Sequence, residues 1–167
     1  CGIINPDLIL VAWDGGSQKR KSMDKNYKAG RKPVRLNRDI HNMTAGEQED
    51  NKNWQQERII EYLNEMPILQ SYVENVEADD IIALVSQSQA LSEHHKIILS
   101  SDKDFIQLCD DTTILYRPIQ KEILNKKRIL EQFQIHPTNF ALARAIAGDK
   151  SDNLPGVGGA GLSTISK

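Results

Sequence analysis

Eight carboxylates stand just beyond the apolar runs of this chain, and grouped carboxylates are suited to holding hard divalent cations. Asp14 ends the run Leu8-Ile9-Leu10-Val11-Ala12-Trp13. Glu77, Asp79 and Asp80 follow residues 68–76, Asp102 and Asp104 follow Lys96-Ile97-Ile98-Leu99-Ser100, and Asp149 and Asp152 follow residues 137–147. Glu77 and Asp80, three apart, share one face of a helix, with Asp79 beside them on its first turn. Asp102 and Asp104 alternate at a strand end, so neighbouring carboxylates can approach a shared point. Brought together, such acids repel unless cations separate them. Oxygen donors without His or Cys select Mg²⁺ or Mn²⁺ over zinc. Singly, each group has a plainer explanation: first-turn acids complement a helix N-terminus by roughly 0.3–1 kcal/mol, and Asp suits Asx turns and loop caps. Four groups all placed after a core element favour the metal reading.

Positioning these acids calls for alternating strands and helices. Residues 8–13 form a short apolar run ending at Asp14-Gly15-Gly16, which predicts a buried strand and turn of the kind parallel sheets produce. Residues 41–53 are polar, with only Met43 and Ala45 apolar, and read as a mobile connection. Residues 54–66 carry Ile59, Ile60 and Leu63 at helical spacing before Pro67, and residues 78–91 carry Ile81, Ile82, Leu84 and Val85 on a second helix. Short strands are expected within 68–76, at 96–100 and at 113–116, and further helices at 123–133 and 137–147, the last opening on Pro137. This rhythm predicts an α/β fold with a mainly parallel central sheet flanked by helices. In such a sheet function gathers at the carboxyl ends of the strands, where these acids lie.

The 167 residues are 39% hydrophobic and 26% charged, near globular averages, which excludes a disordered or fibrous chain. A formal charge of −2 conceals an asymmetry. Residues 19–38 hold nine basic residues and one acid, a local +8, while the remainder carries −10. One surface that attracts phosphate beside another that holds divalent cations fits this split; a solvated basic loop is the alternative. The two cysteines, Cys1 and Cys109, are far apart and in no ligand-like spacing, which argues against a disulfide framework and for a reducing, cytoplasmic setting. No apolar run approaches the length of a membrane span. The chain opens on Cys1 and residues 163–167 read as an unfinished helix, so it is expected to be an excerpt of a longer protein.

Three blocks carry a specific resemblance: Val76-Glu77-Ala78-Asp79-Asp80-Ile81-Ile82, Ser101-Asp102-Lys103-Asp104-Phe105-Ile106-Gln107-Leu108, and Gly148-Asp149-Lys150-Ser151-Asp152-Asn153-Leu154-Pro155-Gly156-Val157. With Trp13-Asp14-Gly15-Gly16, Arg20 and Tyr27-Lys28-Ala29-Gly30-Arg31-Lys32-Pro33 upstream, the chain resembles the 5′-nuclease family. That family comprises bacteriophage 5′→3′ exonucleases, flap endonucleases and the 5′-nuclease domain of bacterial DNA polymerase I. The resemblance implies a PIN-like nuclease core over residues 1–134, with a basic arch at about 17–53, and the start of a helix-three-turn-helix DNA-binding region over 135–167. It implies that Asp14, Glu77 and Asp79 ligate one metal, that Asp102, Asp104, Asp149 and Asp152 group around a second, and that Asp80 is an outer member. Lys28 and Arg20 match the basic arch residues that reach the scissile phosphate. Lys19, Lys21, Tyr27, Arg31 and Lys32 are expected to meet DNA, as are Gly158, Gly159, Gly161 and Ser163 of a glycine hairpin that can hold a monovalent cation such as K⁺. The family's first strand, with a further metal-binding Asp, would precede Cys1. Leu162 and Ser163 stand where the family hairpin carries Pro and Lys.

The implied activity is a Mg²⁺-dependent nuclease acting on DNA 5′ ends, flaps or RNA–DNA primers in replication and repair, as a monomer in a bacterial or phage-infected cytoplasm, with replication proteins as partners. The chemistry agrees. Phosphodiester hydrolysis needs an activated water, neutralised non-bridging oxygens and support for the departing alkoxide, all of which two metals supply, while a cation such as Lys28 stabilises charge in the transition state. A branched-DNA binding module that no longer cuts and a PIN-like ribonuclease are the alternatives. Intact carboxylates favour cleavage, and the basic arch and glycine hairpin favour duplex DNA.

Overall fold

In the computed structural model, which describes residues 5–28, 44–150 and 152–166, strand β1 (Leu10–Trp13) runs parallel to β2 (Leu69–Tyr72), with Leu10 opposite Leu69 and Trp13 opposite Tyr72. Between them lie α1 (Gln18–Met23) and α2 (Ala45–Asn64). Helix α3 (Ala78–Ser86) follows, then β3 (Lys96–Leu99), which pairs in parallel with β4 (Thr113–Arg117). β5 (Glu122–Leu124) returns antiparallel on β4, placing Leu115 opposite Leu124. Helices α4 (Lys126–Phe133), α5 (Pro137–Ala147) and α6 (Leu162–Ile165) complete the order. Among the described residues the sheet therefore falls into two hydrogen-bonded pieces, β1–β2 and β3–β4–β5, not one continuous sheet; α3 packs against both β1 and the turn after β3. The α/β architecture with parallel strand pairs and flanking helices stands.

The core gathers around the second piece. Ile98, Phe105, Ile106, Leu115, Leu124, Ile129 and Phe140 are buried together, with Phe133 meeting Phe140 edge-to-face at 5.4 Å between ring centres. Alternation along β4 sends Thr113, Leu115 and Arg117 inward.

Three expected elements differ. The polar stretch from Thr44 onward is the first half of α2, not a mobile connection, because Thr44 and Glu47 form a capping box and Glu, Gln and Lys extend a helix well. Residues 41–43 lie outside the described residues. The helix expected over 123–133 starts only at Lys126: Leu124 is drawn into the core as part of β5, and Asn125 caps the helix by accepting from the Arg128 N–H. α3 ends at Ser86, and Gln89–Leu91 forms a separate 3₁₀ turn.

Candidate functional site

Gly15 brings the first acids together. Its N–H donates to the Val76 carbonyl at 2.9 Å and its own carbonyl accepts from the Asn75 N–H at 2.9 Å, so the turn after β1 lies against the start of α3. A Cβ at Gly15 would fall 1.8 Å from the Val73 carbonyl oxygen, so only glycine fits this approach. Asp14, which accepts from the Gly16 N–H at 2.7 Å, thereby stands beside the Glu77 helix start. Glu77 occupies the N-cap position of α3 yet makes no capping hydrogen bond. Instead its carboxylate, 4% exposed, receives Lys28 Nζ at 2.6 Å, Arg20 Nη1 and the Tyr27 hydroxyl at 3.4 Å. Arg20 also donates through Nη2 to Asp80 at 2.7 Å. The predicted arch cations thus sit directly on the predicted acids.

The second group forms at the turn after β3. Asp102 caps the 3₁₀ turn Lys103–Leu108 by accepting from the Asp104 N–H at 2.9 Å, so the turn-forming explanation of this residue holds as well. Arg144, from the last turn of α5, donates through Nε to Asp104 Oδ1 at 2.9 Å and through Nη2 to Asp149 Oδ2. Asp149 is fixed by a two-way backbone bridge to Leu154, at 2.8 and 2.9 Å. That loop folds tightly because Gly148 and Gly156 touch; a Cβ on Gly148 would fall 2.3 Å from Gly156 N. Asp102, Asp104, Asp149 and Asp152 line a cleft of about 420 Å³ together with Arg117 and Arg144.

Electrostatics join the two groups. Burial raises the Asp79 carboxyl above its ordinary value, and the neighbouring charges of Asp102 and Asp14 add to this against Lys28 and Arg20. Burial likewise raises Asp104; Arg144 opposes it, while Asp102 and Asp149 reinforce it. A backbone tie adds to the link: Lys28 N–H donates to the Asp152 carbonyl at 3.2 Å, and Asn153 Nδ2 to the Asn26 carbonyl at 3.4 Å.

The donor set is oxygen alone, and its crowded, part-buried acids fit a hard divalent cation. Among the described residues, no three acid, His or Cys side chains surround a common point. Glu77, Asp104 and Asp149 are each paired with Arg or Lys, Glu77 with both Arg20 and Lys28 and the other two with Arg144. Lys19 and Lys21 project from α1, exposed. Arg31 and Lys32 lie outside the described residues. Gly158, Gly159 and Gly161 form the turn before α6, with Gly161 at its N-cap and Ser163 inside it; none of them lines the acidic cleft. Two site residues were missed in the sequence, Arg144 and Arg117. Arg117 is buried and donates to the Ser101 carbonyl and to Glu122 at 2.9 Å. A basic residue four positions before the Gly148-Asp149 loop, alone among the apolar residues 140–147, was the available signal for Arg144. Cys109 is no nucleophile, since burial pushes its thiol up to about 11. Among the described residues no helix is long and apolar enough to cross a membrane.

Comparison with known proteins places this arrangement. The flap endonuclease Xni of Shewanella sp. (strain MR-4) is 29% identical over 160 residues, covering 95% of this chain and 56% of the relative. DNA polymerase I of Streptococcus pneumoniae (strain ATCC BAA-255 / R6) is 32% identical over 161 residues, 92% of this chain and 16% of the polymerase. The chain thus spans about half the length of the first relative and a smaller share of the second. In structure it is similar to the T5 5′-exonuclease with bound divalent metal ions (zinc), at a TM-score of 0.73 and 22% identity, covering 95% of this chain and 58% of that one; at this identity the likeness shows the fold. The family described as "5′-3′ exonuclease, N-terminal resolvase-like domain" matches residues 3–134, from β1 through α4 and across both acid groups as far as Asp104, and the chain belongs to that family.

Proposed function

We propose that this chain is the catalytic part of a structure-specific 5′ nuclease that hydrolyses DNA phosphodiesters near 5′ ends, at flaps or at RNA–DNA primers. The observation that carries the reading is the pairing of Lys28 and Arg20 with Glu77 and Asp80 at the start of α3, beside Asp14 after β1 and with the charge of Asp102 after β3 acting on Asp79. Binding of 5′-ended DNA is supported by the likeness to a flap endonuclease and by the basic segment over residues 19–38. Residues 1–134 serve as the nuclease core, and residues 135–167 begin the helix-three-turn-helix region that meets duplex backbone. Gly158, Gly159, Gly161 and Ser163 contact phosphate there, with K⁺ as the monovalent candidate. Mg²⁺ is the working cation and Mn²⁺ its substitute; the protein acts as a monomer beside replication proteins in a bacterial or phage-infected cytoplasm.

Asp14, Glu77 and Asp79 would hold one ion, and Asp102, Asp104, Asp149 and Asp152 a second, with Asp80 outside them. When bound, these ions supply an activated water, neutralise the non-bridging oxygens and support the departing oxygen. Lys28 and Arg20 leave Glu77 and Asp80 to meet the phosphate, where fixed positive charge stabilises the transition state more than the ground state. Arg117 holds the Ser101 carbonyl and so fixes the turn that presents Asp102 and Asp104.

The test uses the intact protein and a 5′-labelled flap duplex. Short 5′ products are expected with Mg²⁺ and none with EDTA, and Asp102→Ala or Asp149→Ala should slow cleavage by about a hundredfold or more while DNA binding persists. Lys28→Ala should lower the rate of the chemical step far more than affinity. Cleavage that ignores EDTA would sink the mechanism, and binding without cleavage would leave a branched-DNA binding module.

A further inference from the structure

Arg144 lies outside every motif that resembles the family, yet it joins acids that are far apart in sequence. Asp104 belongs to the turn after β3 and Asp149 to the loop after α5, and Arg144 donates to one oxygen of each, Nε to Asp104 Oδ1 and Nη2 to Asp149 Oδ2. A guanidinium carries its donors in a rigid planar fork, so two bonds from one group fix the spacing of the carboxylates they hold. The fork itself is firmly placed. α5 packs against the Lys103–Leu108 turn through buried Phe140 and Ala143, and the Arg144 carbonyl accepts from the Gly148 N–H at 2.8 Å, closing the helix. The side chain is 26% exposed, far less than a surface arginine that only complements a helix C-terminus.

Resting on the nuclease reading above, we propose that Arg144 is a positioning residue for the second acid group. It holds Asp104 and Asp149 at a set separation and offsets their repulsion, with the ion bound as well as without it. Its role runs through those two carboxylates. Charge and geometry make opposite predictions here. If only its charge mattered, Lys would replace it fully, and removing the charge would tighten cation binding. If the fork matters, Lys fails, because a point charge on a flexible stem satisfies one carboxylate at a time.

The probe is Mn²⁺, titrated into the intact protein without DNA and followed by electron paramagnetic resonance. Arg144→Lys should weaken Mn²⁺ binding at the second acid group by about tenfold, with an unchanged melting temperature, and should raise the Mg²⁺ concentration for half-maximal cleavage more than it lowers the rate at saturating Mg²⁺. Arg144→Ala supplies the second arm: millimolar guanidinium chloride, far below denaturing levels, should restore Mn²⁺ binding, and methylammonium should not. A folding defect would not distinguish these two cations. Wild-type Mn²⁺ binding in Arg144→Lys, or equal rescue by methylammonium, would overturn the proposal. A wild-type protein that binds Mn²⁺ but cuts no DNA would overturn the nuclease reading alone, because the Mn²⁺ arms need no cleavage.

Discussion

Asp104 and Asp149 are reached from elements that share a dry core, whereas Asp14 stands at the end of β1, whose residues stay partly open to water, and Glu77 at the start of α3, which bridges from β1 to that core. Around the former, Phe105, Ile106, Leu115, Leu124, Ile129 and Phe140 close on one another between the β4–β5 hairpin, α4 and α5. Around the latter, no described residue of β1, α2 or β2 is fully buried, and Ile59, Tyr62, Leu69 and Tyr72 are exposed. Polar ties do the joining there. Gln70 accepts from Trp13 Nε1 at 2.8 Å and donates to the Ile60 carbonyl at 3.1 Å and to Asn64 at 2.7 Å, linking β1, β2 and α2, while Arg20 and Lys28 converge on Glu77. Apolar burial is non-directional and scales with area, but ion pairs respond to screening and can be exchanged. On the proposed reading, the cations that must leave their acids to meet phosphate sit in the region held by exchangeable contacts, and the acids that must keep their spacing sit on the packed one.

Stability gives the largest contrast. Phe140→Ala removes a fully buried ring and should cost about 3–5 kcal/mol, while Tyr72→Ala, on the exposed β2, should cost less than about 0.5 kcal/mol. Urea unfolding of both variants decides the matter, and equal losses would erase the distinction.

Glu77→Gln sharpens it from the other side. Losing the shared carboxylate should cost about 2 kcal/mol at low ionic strength in EDTA, since the hydrogen bonds involve charged partners. Arg20 is 39% exposed, so its share of that loss should shrink as NaCl is added while the share from the less exposed Lys28 persists, whereas the Phe140→Ala loss should stay level over the same series. A salt-independent deficit at Glu77 would mean that its region is packed, not tied by charge.

The sequence revealed elements where one signal dominated. The apolar runs at 8–13 and 96–100 became β1 and β3, although only Ile98 of these two strands is buried, Pro137 opened α5, and each of the four acid groups follows a strand or helix. What it hid depended on a polar local cap or on partners distant in the chain. The polar start of α2 looked featureless because its stabilisation is a local cap between Thr44 and Glu47, not an apolar stripe. Arg144 carried little signal of its own because its two acids lie on other segments, one of them 40 residues away. The pairing of Arg20 and Lys28 with Glu77 was invisible for the same reason: their types announced phosphate contact, and only the fold shows which acid they rest on before it arrives.

The smallest expected effect tests whether the packed region acts as one unit. Apolar residues at 123, 124, 129 and 130 invite a single helix, but Asn125 divides them, accepting through Oδ1 from the Arg128 N–H at 2.9 Å and leaving Leu124 to β5. Asn125→Ala removes that cap and should cost about 1 kcal/mol, and Asn125→Asp should be nearly neutral, because aspartate caps as well as asparagine. Leu124 before the cap and Ile129 after it are both fully buried, so α4 has no way to fray without opening the core. The cost of Asn125→Ala should therefore appear undiminished in global urea unfolding, with hydrogen exchange accelerated equally in α4, α5 and β4. Faster exchange confined to α4, with global stability unchanged, would show that this region opens in parts, and the contrast with the β1–β2 side would lose its basis.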